Sequence, residues 1–251
     1  MRILPTRYQI YREGRRRSVL SRSGRRMRTV QNTDHRCVAL LSGGLDSALA
    51  TLLAVEEYEQ VLALTFDYGQ KPARMEIEAS GEIARYLSIE RQVIKLDIYR
   101  DFAEMAHLPL ISGVTSDEDI SYWMPNRNGV MIEVASAIAE GVGASYVVVG
   151  FNTDEAQSFP DNTTEYLDAL NHALEYSTQG RVKVISPTVN MTKSEILDML
   201  HQSGFPIKHI YPCYTGEELL CGECPSCRKF ISALKKVGIY DRFSWRFADA
   251  T

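Results

Sequence analysis

The sequence predicts an α/β fold with a doubly wound, mostly parallel sheet. Short apolar strands alternate with helical segments from residue 37 onward. The strands are rich in β-branched residues and fit a sheet covered on both faces. The first strand also runs through Ser42-Gly43-Gly44 straight into a helix, and this is how such sheets build an anion site.

The elements follow in order. Cys37 to Leu41 is a buried strand, and Leu45 to Tyr58 is a helix. Val61 to Phe66 is the second strand. Ala73 to Leu87 is the second helix, entered just after Pro72, where a fixed φ suits a first turn. Gln92 to Leu96 is the third strand. Residues 98–126 carry Pro109, Gly113 and the acidic Asp117-Glu118-Asp119, and are expected to be an active-site loop or lid. Asn128 to Gly141 places apolar residues at 130, 131, 134, 135 and 138, a helical period. Tyr146 to Gly150 is the fourth strand, Thr164 to Ser177 a helix, and Val182 to Ile185 the fifth strand. Thr192 to Gln202 and Cys227 to Val237 are the last helices, each closed by a glycine.

Charge is unevenly spread. Residues 1–36 hold eleven Arg and no Lys against Glu13 and Asp34, near +9. Residues 37–251 hold 17 basic and 30 acidic side chains, near −13. An acidic body lacks the basic face of a nucleic-acid binder, so no stable nucleic-acid partner is expected. No apolar run approaches the roughly 20 residues of a membrane span, and no signal-peptide pattern opens the chain. A cytoplasmic protein with no membrane contact, assembled as a homodimer, is expected. Residues 1–35 show no apolar period and read as a basic, disordered leader, or as sequence preceding a start at Met27. Residues 36–204 are expected to form the main domain, which carries the turn at 42–47, and 205–251 a module packed on it.

The phosphate loop carries the chemistry. Glycines at 43 and 44 let backbone N–H groups converge with no Cβ in the way, and the helix dipole adds positive potential. Ser42 and Ser47 supply hydroxyl donors. Asp46 would repel phosphate, so it reads either as a Mg²⁺ partner or as a carboxylate at a helix N-terminus. No Lys follows the glycines, which excludes a Walker A loop.

Cys213, Cys221, Cys224 and Cys227 lie within fifteen residues of one another. Two Cys-x-x-Cys steps share Cys224, and Cys213 closes a fourth position. Four thiolates with no open site point to structural Zn²⁺, with an iron–sulfur cluster as the alternative. Cys37 opens a buried strand and reads as a small core residue. Arg127 opens a helix, where a cation opposes the dipole unless an anion neutralises it, so it reads as a phosphate or carboxylate contact. Lys193 also opens a helix and reads either as a second such contact or as a surface lysine.

The loop Ser42-Gly43-Gly44-Leu45-Asp46-Ser47 resembles that of the pyrophosphate-loop ATPases. Phe66-Asp67-Tyr68-Gly69-Gln70, Pro125-Asn126-Arg127-Asn128, Thr192-Lys193-Ser194-Glu195-Ile196 and the four cysteines follow it in order. Together they resemble the 7-cyano-7-deazaguanine synthase family over about residues 36–228. The resemblance implies an adenine nucleotide alpha-hydrolase-like fold. It also implies ATP-dependent conversion of 7-carboxy-7-deazaguanine and ammonia to the nitrile, with Mg²⁺ and Zn²⁺. The nucleotide site would span Leu41, Ser42, Gly43, Gly44, Leu45, Asp46, Ser47 and Ala48, with Phe66 and Asp67. The substrate would meet Tyr68, Gln70, Arg127 and Asp161. Asp46, Ser47, Arg127 and Lys193 would carry the reaction.

One segment departs from the family pattern. Typical bacterial members carry Tyr-Pro-Asp-Cys-Arg after the fourth strand, where this chain has Ser158-Phe159-Pro160-Asp161-Asn162-Thr163. Gly150-Phe151-Asn152, with Glu155-Ala156, resembles an archaeal-like branch. Three rival readings follow. One is a sister enzyme that stops at the amide or joins the deazapurine to an amine of a macromolecule. Another is a tRNA thiolase, which would want redox cysteines by the nucleotide and a basic face. The third is a non-catalytic, zinc-stapled nucleotide sensor.

With no period or motif in residues 1–26, a chain beginning at Met27 is expected to keep its melting temperature and activity. A large loss of either, by thermal denaturation or pyrophosphate release, would show that the leader packs on the body.

Overall fold

The computed structural model describes residues 35–105 and 123–248. The expected leader, apart from His35, and the central part of the expected 98–126 loop lie outside the described residues.

Five parallel strands make one sheet: β1 (Arg36–Leu40), β2 (Gln60–Asp67), β3 (Glu90–Lys95), β4 (Tyr146–Val148) and β5 (Lys183–Ile185). Their spatial order is β3-β2-β1-β4-β5. The chain builds outward from β1 to β3, then returns to build from β4 to β5 on the other side. The order therefore reverses between β1 and β4, and connections leaving their carboxyl ends diverge to open a crevice.

Helices cover both faces. One face carries α1 (Leu45–Glu57), α2 (Ala73–Leu87), α7 (Lys193–Gln202) and α8 (Pro225–Val237). Their Leu49, Ile83, Ile196, Leu200 and Phe230 pack with Leu41 and Ala63 in one buried cluster. The other face carries α4 (Arg127–Val142) and α6 (Thr164–Ser177), whose Ile132, Ala135, Leu170 and Leu174 pack on Val38, Leu64 and Val147. Neighbours along β2, such as Ala63 and Leu64, point to opposite clusters, as a period of two requires. Each fully buried Leu or Ile contributes about 1.5–3 kcal/mol of transfer free energy.

The doubly wound class is as expected, and several boundaries differ. The 98–126 stretch is not all loop. Asp97–Met105 is a helix, α3, anchored by buried Tyr99, whose hydroxyl donates to the Pro125 carbonyl. A short α5 (Thr153–Ala156) and a 3₁₀ turn (Pro160–Asn162) follow β4, both below the length that periodicity can reveal. The last helix starts at Pro225 rather than Cys227. Cys224 is its N-cap and accepts from the Cys227 N–H, and Pro225 fills N1, where no N–H is needed.

β4 ends at Val148 rather than Gly150. A Cβ at Gly150 would lie 2.7 Å from both the Asp46 carbonyl carbon and the Ser47 nitrogen. The exit of β4 therefore packs backbone to backbone on the first turn of α1. Gly150→Ala is expected to destabilise the protein by about 1–3 kcal/mol through overpacking. Gly141→Ala, where a Cβ meets nothing within 4 Å, should be neutral or stabilising. Urea denaturation of the two variants checks the contrast.

Candidate active site

The turn between β1 and α1 lies at the mouth of the crevice. Gly43 has φ +89°, and a Cβ there would come within 2.8 Å of the Ala79 Cβ and 3.0 Å of the Glu76 carbonyl oxygen. Only glycine fits that fold of the loop against α2. Gly44 is the N-cap of α1 and supplies no side-chain cap. The serine hydroxyls organise the loop. Ser47 Oγ donates to the Gly44 carbonyl at 3.1 Å and lies 3.0 Å from Ser42 Oγ, while Gly44 N–H donates to Ser42 Oγ at 3.3 Å. Leu41, Leu45 and Ala48 are buried in the core, so they can meet a ligand only through their backbone.

Asp46 faces a chain of charges. Its Oδ2 accepts from Lys193 Nζ at 2.7 Å, and the same ammonium lies 3.0 Å from Glu155 Oε1. Lys229 Nζ stands 3.5 Å from the other Glu155 oxygen. The Lys193 N–H donates to Asp154 Oδ2 at 2.9 Å, and a Thr192–Glu195 capping box fixes the start of α7. Of the two readings of Lys193, the surface lysine is excluded, since only 6% of it is exposed. Burial opposes its charge, but Asp46 and Glu155 outweigh burial and raise its pKa. Burial pushes the Asp46 carboxyl above the usual carboxylate range, against the pull of Lys193. Asp46 Oδ1 is buried and has no hydrogen-bond partner. An orphan carboxylate oxygen of this kind is the donor that a divalent cation takes.

The second half of the site lies at the end of β2. Gly69 N–H donates to Asp67 Oδ1 at 3.2 Å, closing a turn. The Phe66 side chain belongs to the core, so its ring is not free to meet a nucleotide. Gln70 is 3% exposed, and its amide is committed within the protein. It donates to the Phe66 carbonyl and to Glu76 Oε2, and accepts from the Tyr68 N–H. The structure thus uses Gln70 to hold the loop and leaves its amide no free donor for a ligand. Half-buried Arg127 reaches Tyr68 Oη at 3.5 Å. Burial raises the pKa of Glu76 against the Gln70 hydrogen bond and the Arg127 charge, and raises that of Asp161 against the Arg127 charge. The structure brings Arg127 to Tyr68, and the Arg127 charge acts on Asp161.

The four cysteine sulfurs lie within 4.8 Å of one another. Backbone N–H groups of Cys221, Cys224 and Cys227 donate to the sulfurs of Cys213, Cys221 and Cys224, at 3.3–3.4 Å. Thr215 Oγ1 is 3.1 Å from Cys213 Sγ. This arrangement can hold a metal ion. Cys37 is separate: it is buried in the sheet, which pushes its thiol up to about 12.

Sequence reasoning missed Glu155 as a partner of Lys193, Glu76 as a partner of Gln70, and Lys229. The acidic pair Asp154-Glu155 at the exit of β4 was a usable signal, because ligands of such sheets bind at strand carboxyl ends. Glu76 and Lys229 sit in helices whose charge pattern looks like any solvated face.

The family model for Queuosine biosynthesis protein QueC matches residues 36–238. The 7-cyano-7-deazaguanine synthase of Methanosarcina mazei is 39% identical over 82% of this chain and 96% of its own length. That of Carboxydothermus hydrogenoformans is 42% identical over 76% and 94%. Among solved structures, NMN synthetase from Francisella tularensis superposes with a TM-score of 0.50 at 16% identity, over 87% of this chain and 88% of its own. A 4-thiouridine synthetase–RNA complex gives 0.50 at 22% identity, over 83% and 51%. These two likenesses share the fold alone. The sequence matches, covering most of the chain and all the motifs at the crevice, show that it belongs to the 7-cyano-7-deazaguanine synthase (QueC) family.

Proposed function

We propose that the chain converts 7-carboxy-7-deazaguanine and ammonia to 7-cyano-7-deazaguanine at the expense of two ATP. The observation that carries this is Asp46: one oxygen is held by Lys193 and the other is buried without a partner, beside an uncapped helix N-terminus. That arrangement suits a triphosphate with its divalent cation. Asp46 would hold Mg²⁺, which when bound neutralises phosphate charge.

The reaction needs positioning and charge stabilisation, with no protein nucleophile. A substrate carboxylate oxygen attacks the α-phosphorus of ATP and pyrophosphate leaves. Ammonia attacks the acyl adenylate carbon, AMP departs, and the nitrogen sheds a proton to give the amide. The amide oxygen then attacks a second ATP, releasing pyrophosphate again. Loss of AMP and the remaining protons leaves the nitrile.

Ser42, Ser47 and the α1 N-terminus would cradle phosphates, and Lys193 would balance charge developing on the leaving pyrophosphate. Arg127 would hold the substrate carboxylate, with Tyr68 and Asp161 beside it. Gln70 serves by holding the loop that presents Tyr68. These small-molecule roles fit a cytoplasmic enzyme, and among the described residues no helix is long and apolar enough to cross a membrane.

Zn²⁺ fits the cysteine site. Sulfurs about 2.3 Å from one tetrahedral ion stand about 3.8 Å apart, and Cys221 Sγ lies 3.9 Å from Cys227 Sγ. An iron–sulfur cluster would interpose its own atoms and spread the sulfurs further.

Asp46→Asn should abolish pyrophosphate release in a protein that still folds, measured with and without 7-carboxy-7-deazaguanine. Wild-type release from the folded variant would remove Asp46 from the mechanism. Metal analysis should find one Zn²⁺ per chain, and Cys224→Ser should lose it together with much of the thermal stability, since structural zinc contributes on the order of 10 kcal/mol. Iron and sulfide in anaerobically purified protein, or a stable metal-free active variant, would overturn this reading.

A further inference from the structure

Among the described residues, three contacts between the cysteine segment and the reaction site stand out. The Tyr211 N–H donates to the Gly43 carbonyl at 2.9 Å, tying the segment to the phosphate loop. Gly216, at φ +79°, lies so close to the loop after β2 that a Cβ would come within 2.6 Å of the Lys71 carbonyl oxygen. Both are backbone scaffolding. The third is of a different kind. Lys229 lies two residues beyond Cys227 on α8, and it brings a full charge to Glu155.

Glu155 has two oxygens and two cations. Oε1 faces Lys193 and Oε2 faces Lys229, at 3.0 and 3.5 Å. Only 16% of the Glu155 side chain and 8% of the Lys193 side chain are exposed, so water screens this chain weakly. Burial works against the Glu155 charge, yet Lys193 and Lys229 more than offset it and hold the carboxyl below its usual range. Lys193 in turn is shared between Glu155 and Asp46. Its position along that line depends on how strongly each carboxylate pulls. A cation on the far side of Glu155 draws off part of its pull and leaves the ammonium closer to Asp46 and the phosphate loop.

We propose that Lys229 is a positioning residue of the reaction site: by neutralising Glu155 it sets the Lys193 ammonium against Asp46, where the nucleotide phosphates are bound. The proposal rests on the reading of Asp46 and Lys193 as the ATP site. The helix that begins on the metal ligands would thereby deliver electrostatic control as well as rigidity.

The test uses Lys229→Met, Lys229→Arg, Glu155→Gln and the double variant Lys229→Met/Glu155→Gln in the full chain. Metal content and melting temperature are measured first. Binding of a non-hydrolysable ATP analogue with Mg²⁺ is then followed by calorimetry, and KM and kcat by pyrophosphate release. Lys229→Met should keep its metal, weaken the analogue and raise KM for ATP about tenfold, and leave KM for the carboxylate substrate unchanged. Lys229→Arg should restore the analogue affinity to about twofold of wild type. In the Glu155→Gln background, Lys229→Met should have no further effect, because its partner charge is gone. Lys236→Met, an exposed lysine on the same helix, should behave as wild type.

Unchanged nucleotide affinity in Lys229→Met would overturn the proposal. So would an equal loss in the Glu155→Gln background, or failure of Lys229→Arg to rescue. Asp46→Asn separates the two levels. If it binds the analogue as wild type does, the nucleotide-site reading itself falls. If it binds weakly while Lys229→Met binds normally, only the role of Lys229 falls.

Discussion

Three parts of the chain meet at the first turn of α1 with no room for a side chain between them. Gly43 folds onto Ala79 and the Glu76 carbonyl of α2, and Gly150 lays the exit of β4 on Asp46 and Ser47. The Tyr211 N–H closes on the Gly43 carbonyl from the cysteine segment. Neighbouring backbone therefore fixes the shape of this turn, the preorganisation that a backbone anion site would require. The sheet order makes the meeting possible. β1 and β4 are neighbours across the switch point, so their exits converge on one turn even though about a hundred residues separate them.

Charge around that turn is arranged in alternation. Asp46, Lys193, Glu155 and Lys229 follow one another by ion pairs, and the Arg127 charge acts on Glu76 and Asp161. Tyr214 packs against the clusters on both faces of the sheet, and Glu155, Lys193 and Arg127 all act on its hydroxyl. Tyr214 also follows Cys213 directly, and its N–H donates to Cys224. The cysteine segment is thus in contact with both halves of the site. Its Cys213, Cys224, Cys227 and Phe230 belong to the same buried cluster as Leu41 and Ala48, so no break separates the cysteine segment from this side of the core.

Much of this was legible in the sequence. Apolar runs around Val38, Leu64 and Val147 announced the central strands, and the helical period of residues 130–138 announced α4. The turn at residues 42–47 and the four cysteines stood out because of particular residue types at particular spacings: small residues where backbone crowds, and thiols close enough to share one ion. What failed to show was short or shared. α5 has four residues, too few for a period. α3 has an exposed apolar stripe at Ile98 and Met105, and only Tyr99 and its bond to Pro125 show how it is anchored.

The sequence by itself determined the alternation of strand and helix, the clustering of the four cysteines and the family. All of these depend on residues near one another along the chain. Only the tertiary structure decided what Lys193 and Gln70 do. Gln70 is a local case: its motif marked it as a contact, but folding committed its amide to Phe66, Tyr68 and Glu76. Lys193 could have been a surface lysine, until folding brought it 147 residues across the sequence to Asp46 and buried it beside Glu155. A charge carries no record of its partner in its own neighbourhood. The partner is chosen by which strand ends the sheet places side by side.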